Sequence, residues 1–270
     1  MNAKKLRLGL IGKDVSKSTS DKIHCFILKE WGVACDYEKI SVGAEDFDGA
    51  MRRLLGDFDG FNITIPYKRE VFGYLDEVLG DAMSFGAVNT VVTAGAKGYN
   101  TDGAGFLLML RAAGIEVCDK KILVLGAGGS GRSSAVALKN AGARVEIYQR
   151  NRAKLEETCK QLCLQAAQDP ERGGYDILVN CTGVGMHDTE GVSPVTAEAF
   201  VGAEAAVDLI YTPQESEFLR LAKTQGAHTL NGAAMLFYQA YYADCFFLGR
   251  QADEKEAKKL YEKYLETREG

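Results

Sequence analysis

Short apolar runs alternate along the chain with segments whose apolar residues recur at helical spacing, and glycines punctuate the joins. Candidate strands fall at residues 6–11, 36–41, 60–65 and 87–92, with helices at 21–31 and 45–55 between them. This βαβα order predicts a mostly parallel sheet covered by helices. A second series follows, with strands at 121–125, 144–148, 176–181, 206–210 and 227–230 and helices at 130–140, 152–165 and 215–224. Its five strands are continuous apolar runs, as expected when both faces of a sheet are buried. A helix over 102–113 joins the two series. At the carboxyl end Ala257, Leu260, Tyr261, Tyr264 and Leu265 share one face of a charged helix.

Composition narrows the class. The 270 residues are 46% hydrophobic and 26% charged, enough apolar content to fill real cores. Lys+Arg 32 against Asp+Glu 37 gives a net charge of −5, which argues against nucleic acid or an anionic membrane surface as partner. No apolar run approaches the ~20 residues that span a bilayer, and the amino end is too short in apolar residues for a signal sequence. The seven cysteines include no C-x-x-C pair, and no histidine lies near Cys159 and Cys163. Reduced thiols in a cytoplasmic protein, with no metal, are the expectation.

Residues 121–125 run into Gly126-Ala127-Gly128-Gly129-Ser130-Gly131 and then a helical pattern. A G-x-G-x-x-G run means little alone; after a strand and opening a helix, it marks a pyrophosphate cradle. Glycines let the backbone approach the phosphates, whose charge meets the free amides of the helix start. An ordinary strand-to-helix turn is the lesser reading. A free ribose 2′-hydroxyl asks for an acid at the end of the next strand. None stands in Gln149-Arg150-Asn151-Arg152-Ala153-Lys154, and three cations do. Arginine can stack on adenine and grip a 2′-phosphate, so NADP is favoured over NAD. The fold class is therefore α/β in two domains. One is an N-terminal domain over 1–104, completed by C-terminal helices in 236–270; the other is a Rossmann-like dinucleotide-binding domain over 105–235.

A dinucleotide fold does not name a reaction. In Asn62-Ile63-Thr64-Ile65-Pro66-Tyr67-Lys68 polar residues alternate along a strand and a lysine follows the proline. Ala87-Val88-Asn89-Thr90-Val91 and Tyr99-Asn100-Thr101-Asp102-Gly103 add amides and an acid at strand ends. Such groups converge on the crevice where open parallel sheets bind ligands. Asn100 and Asp102 would also serve as helix N-caps, yet the polar sites in this half exceed what capping explains.

In order along nearly the whole chain, these segments resemble the shikimate dehydrogenases. The resemblance rests on S-T-S-D-K-I-H (18–24), N-I-T-I-P-Y-K (62–68), A-V-N-T (87–90), N-T-D-G (100–103) and G-A-G-G-S-G-R (126–132). It continues in N-C-T-G-V-G-M (180–186), D-L-I-Y-T-P (208–213) and N-G-A-A-M-L-F-Y-Q-A (231–240). It implies reversible, NADP-dependent reduction of 3-dehydroshikimate to shikimate, a step toward aromatic amino acids. The enzyme would be cytoplasmic, a monomer or homodimer, with a small molecule as its partner.

Carried over residue by residue, the resemblance makes Lys68 and Asp102 the catalytic pair and sets Ser18 and Ser20 on the substrate carboxylate. Thr64, Asn89, Tyr211 and Gln239 would hold ring hydroxyls or carboxylate, with Asn62 buttressing them. Gly126, Ala127, Gly128, Gly129 and Ser130 would hold the pyrophosphate, and Gln149, Arg150, Asn151, Arg152 and Lys154 the 2′-phosphate. Leu209 and Gly232 would line the nicotinamide. An ammonium beside the reacting ketone would stabilise the charge developing on its oxygen and deliver the proton.

Some positions depart from the family pattern. Lys17 stands where a histidine is common, Asp21 where proline is usual, and Ala234 in place of a frequent glycine. Gln149 and Asn151 replace the usual Asn and Thr or Ser, while Arg150 is kept. Asp21 makes Ser18-x-x-Asp21 a capping box in one reading. In the other it brings negative charge toward a bound carboxylate, with Lys17 and Lys22 partly offsetting it. Alternatives are a dehydrogenase for quinate or another shikimate-like acid, and a catalytically silent dinucleotide-binding regulator. A folate dehydrogenase would explain the glycine loop but not the serines or Gln239. His24 reads as a packed residue on the apolar face of its helix.

Overall fold

A computed structural model gives the fold, described over residues 5–269. The strands are β1 (Leu6–Gly12), β2 (Cys35–Ser41), β3 (Gly60–Ile63), β4 (Glu77–Val78), β5 (Thr90–Val92), β6 (Lys97–Tyr99), β7 (Lys121–Leu125), β8 (Arg144–Tyr148), β9 (Gln165–Ala166), β10 (Ile177–Asn180), β11 (Ala205–Asp208) and β12 (His228–Asn231). The helices are α1 (Ser20–Glu30), α2 (Phe47–Asp57), α3 (Ala82–Phe85), α4 (Asp102–Ala112), α5 (Gly129–Asn140), α6 (Arg152–Leu162), α7 (Glu217–Thr224), α8 (Ala233–Leu248) and α9 (Glu254–Glu269). The chain divides into two compact units, Met1–Thr101 with Leu236–Gly270, and Asp102–Met235. No helix among the described residues is long and apolar enough to cross a membrane.

The first unit's sheet has the order β2-β1-β3-β5-β6-β4. β1 runs parallel to β2 and β3, which the α1 and α2 crossovers permit. The parallel expectation fails at the next two pairings, because β3–β5 and β5–β6 are antiparallel. Only residues 93–96 separate β5 from β6, too few for a crossover, and Gly95 turns there with φ +78. The strand expected at 87–92 begins only at Thr90: Ala87 N–H still bonds the α3 carbonyl of Ala82 at 3.2 Å, after Gly86 ends that helix in the left-handed region. Phe47, Met51, Leu54, Phe58, Phe61 and Ile63 form the core beneath α2. Across α8 and α9, Phe237 meets the rings of Tyr261 and Tyr264 at 5.2 Å, while Leu265 on the expected apolar face stays exposed.

The second unit's sheet, β12-β11-β10-β7-β8-β9, is parallel at every pairing. β10 and β11 are buried along their whole lengths, as their unbroken apolar runs require. The helix expected over 152–165 stops at Leu162, since Cys163 turns left-handed at φ 51 and frees residues 165–166 to pair at the sheet edge.

Candidate active site

Side chains bonded to one another build the polar end of the first unit. Alternation along β3 buries Phe61 and Ile63 and turns Asn62 to the opposite face. Tyr37 donates its hydroxyl to Asn62 Oδ1 at 2.9 Å, and Asn62 Nδ2 donates to Asn89 O at 3.2 Å and Thr90 Oγ1 at 3.1 Å. Buried Asn89 donates to Thr101 Oγ1 at 3.0 Å, and its Oδ1 accepts from the Thr101 amide at 2.9 Å. Asn62 and Asn89 thus hold Thr101, the residue before Asp102. Asp102 opens α4 with 3% of its surface exposed. Asn100 donates to Ala87 O at 2.9 Å. Lys68, half-buried in a turn after a cis Ile65–Pro66 bond, accepts at its carbonyl from Val88 N–H at 2.8 Å, which sets it one residue from Asn89.

Ser18 and Ser20 come together, the Ser18 hydroxyl donating to Ser20 Oγ at 2.9 Å and accepting from the Ser20 amide at 3.2 Å. The capping box does not form: Thr19 takes the N-cap position and makes no side-chain cap bond. The cation at Asp21 is one the sequence reading overlooked. Lys39 on β2 stands 3.8 Å from Asp21 Oδ1 and donates to the carbonyls of Ser16 at 3.2 Å and Ser18 at 3.0 Å, while Lys17 and Lys22 are exposed. Thr64 packs at the end of β1, where a Cβ on Gly12 would overlap its methyl group. Gln239 is half-buried on α8.

His24 is more than a packed residue. Its Nδ1 lies 2.6 Å from Asp244 Oδ1, both buried, and its ring stacks on Tyr37 with centroids 4.7 Å apart. Burial raises the Asp244 carboxyl above its ordinary range, and His24 opposes that rise. Burial, then Asp244 and Asp21, hold the Tyr37 phenol well above its usual value, so it stays a donor to Asn62. One signal was available: an acid inside the apolar run of α8 requires a buried partner.

In the second unit backbone conformation makes the cradle. Gly126 sits at φ +99, and a Cβ on Gly131 would run into the Gly126 carbonyl oxygen. Glycine at both positions lets the loop close onto the first turn of α5. Gly128 is an N-cap without a side chain, and nothing lies within 4 Å of where a Cβ would stand on Gly128 or Gly129. Ala127 and Ser130 flank them, half-buried. The space beside Gly128 and Gly129 at the start of α5 is therefore open, as a bound pyrophosphate needs. Cys181 lies against Gly131, and burial pushes its thiol up to about 12, so no thiolate competes there.

The basic segment after β8 divides by role. Asn151 caps α6, accepting from the Lys154 amide at 3.1 Å. Arg152 donates to Gln168 O at 2.6 Å and Gln168 Oε1 at 3.2 Å. Arg150 and the Lys154 side chain are exposed, with Gln149 half-buried beside them. Behind the ends of β10 and β11, Asn180 donates to Asp208 Oδ1 at 3.0 Å, and Ser216 donates to Asp208 Oδ2 at 2.5 Å. Burial raises the Asp208 carboxyl above its usual range, against those bonds and the Ile210 amide. This network fixes the turn carrying Leu209 and Tyr211, the latter 48% exposed. Leu209 and Gly232 do meet, since a Cβ on Gly232 would overlap the Leu209 carbonyl. The network was legible in principle, as polar residues closing otherwise apolar strands.

The family profile described as the shikimate dehydrogenase substrate binding domain matches residues 10–91. A protein of Carboxydothermus hydrogenoformans named shikimate dehydrogenase (NADP(+)) is 38% identical over 250 residues, covering 87% of this chain and 89% of that relative. The chain belongs to the shikimate dehydrogenase family. The solved shikimate 5-dehydrogenase of Thermus thermophilus, in complex with NADP(H) and shikimate, is 34% identical with a TM-score of 0.87, covering 96% of this chain and 99% of that one. A chorismate mutase/shikimate 5-dehydrogenase fusion protein from Clostridium acetobutylicum is 32% identical with a TM-score of 0.89, covering 99% and 100%. The α/β class and the family expected from the motifs are borne out.

Proposed function

We propose that this chain is an NADP-dependent shikimate dehydrogenase, reducing 3-dehydroshikimate reversibly to shikimate. The observation that carries the reading is the 38% identity, across most of both chains, to a relative named for that activity. The glycine loop supports it, because a cradle emptied of Cβ atoms over a helix start fits a pyrophosphate. In this reading the unit holding Ser18, Ser20, Asn62, Thr64, Lys68, Asn89 and Gln239 takes the substrate, and Asp102–Met235 takes the cofactor. The protein works in the cytoplasm, which its seven free thiols favour.

NADPH, when bound, supplies the hydride that the ketone carbon accepts. Lys68 stabilises the negative charge developing on the ketone oxygen and gives it a proton; in the reverse direction it takes that proton back. Asp102 is the acid that the family resemblance pairs with Lys68. Ser18 and Ser20, already paired, present hydroxyls to the substrate carboxylate. Thr64, Tyr211 and Gln239 hold the remaining oxygens, while Asn62 and Asn89 act chiefly by keeping Thr101 and Asp102 in place. Gly126 to Ser130 bind the pyrophosphate, Arg150 and Lys154 grip the 2′-phosphate, and Leu209 and Gly232 line the nicotinamide.

The test mixes purified protein with shikimate and either NADP or NAD and follows reduced-cofactor absorbance. Turnover with shikimate and NADP is the expected result. Cofactor binding without turnover on shikimate, quinate or an amino analogue overturns it in favour of a silent regulator. Quinate is kept as a second substrate because Asp21 and Lys39 reshape the surroundings of the carboxylate serines.

A further inference from the structure

All seven cysteines are unbridged, and two of them face each other outside the site just described. Cys25 on α1 and Cys35 at the start of β2 place their sulfurs 3.5 Å apart. That is close to contact distance, and side-chain rotation alone covers much of the way to a bond of about 2.05 Å. Cys25 is exposed and Cys35 is partly covered. Cys25 also lines a surface groove of about 520 Å³ with Lys22, Lys29, Phe26, Tyr264 and Arg268, and among the described residues no carboxylate lines it.

We propose that Cys25 and Cys35 form a thiol–disulfide exchange site for small anionic disulfides. The groove's three cations draw the anionic reagent to the accessible thiol. Cys25 thiolate attacks one sulfur of the reagent; a Cys25–S–S–R bond forms and RS⁻ leaves. Cys35 then gives its proton to solvent and attacks Cys25 Sγ, expelling a second RS⁻ and closing the Cys25–Cys35 bridge. The pair loses two electrons and the reagent gains them, ending as two thiols. The order of attack follows from the surroundings. Burial, then the hydrogen bond and charge of Cys25, push the Cys35 thiol up to about 12, and the two Cys25 contributions vanish once Cys25 is capped.

The test incubates the folded full-length chain with glutathione disulfide, quenches in acid, and maps cysteines by peptide mass. Wild type should yield the Cys25–Cys35 bridge, and Cys35→Ser should trap a mixed disulfide on Cys25. Exposed Cys118 and Cys163 serve as internal references. In Cys35→Ser, Cys25 should react about tenfold faster than either. That advantage should shrink severalfold with neutral hydroxyethyl disulfide or in a Lys22→Gln/Lys29→Gln variant. Labelling of Cys25 no faster than Cys118 and Cys163, or mixed disulfide accumulating in wild type with no bridge, overturns the proposal.

Discussion

The two units solve recognition in different ways. In Asp102–Met235 the predicted cofactor contacts are largely backbone: a left-handed glycine, a carbonyl tucked where no Cβ exists, and a helix start beside open space at two glycines. In the first unit the predicted contacts are side chains, several already bonded to one another through Tyr37, Asn62, Asn89 and Thr101. A backbone site is broken by adding atoms, whereas a side-chain site is broken by removing them. The units should therefore fail under opposite kinds of substitution.

The sharpest removal is Lys68→Ala. It should lower kcat about 10²–10⁴-fold with the fold retained by circular dichroism, because in the proposed reading it deletes the proton donor. The matching addition is Gly131→Ala. One methyl against the Gly126 carbonyl should cost about 1–3 kcal/mol in urea unfolding and weaken NADP binding in a fluorescence titration. If Gly131→Ala binds NADP like wild type, the contrast between the units is lost.

Arg150→Ala should raise the KM for NADP about tenfold or more and leave that for NAD nearly unchanged, since in the proposed reading Arg150 makes a charge-assisted contact to the 2′-phosphate alone. An equal change for both cofactors would reassign Arg150. Asp21→Pro should lower the KM for shikimate severalfold. The half-exposed pair with Lys39 adds little stability, and Lys39 keeps its two serine-loop carbonyls. An unchanged or higher KM counts against a repulsive Asp21.

The smallest effect is a slope with pH. Burial raises the folded carboxyl of Asp208, so its contribution is complete below the ordinary carboxylate range and is lost as pH rises through the folded value. Relative to Asp208→Asn, wild type should gain stability as pH falls from neutral toward that range, in paired urea titrations. The opposite slope would mean that the bonds from Ser216 and Asn180 outweigh burial.

Legibility in the sequence followed the same division. β7 and β8 matched the expected strands residue for residue, β7 because burial on both faces leaves one unbroken apolar signal and β8 because Val145 and Ile147 are buried at alternate positions. The Gly126–Gly131 cradle was readable from its place between strand and helix. In the first unit β4 and β6 were missed, being two and three residues long with no room for a period to show. Lys68 stood out by its place after a polar strand face, while its pairing with Asp102 came through the family resemblance. The Tyr37–Asn62 and His24–Asp244 bonds join positions 25 and 220 residues apart, distances over which local patterning carries nothing. Arg152 read as a phosphate ligand from charge alone, while the structure ties its guanidinium to Gln168.

His24 and Asp244 belong to one unit, yet the whole of Asp102–Met235 lies between them in the chain. During synthesis α8 follows all of Asp102–Met235, so until it appears His24 lacks its acid partner and the surface that α8 covers stays open. Asp102–Met235 is contiguous in the chain, whereas the other unit is split around it. The split unit must wait for its second segment, so a chain stalled before Leu236 would carry one unit complete and the other unfinished.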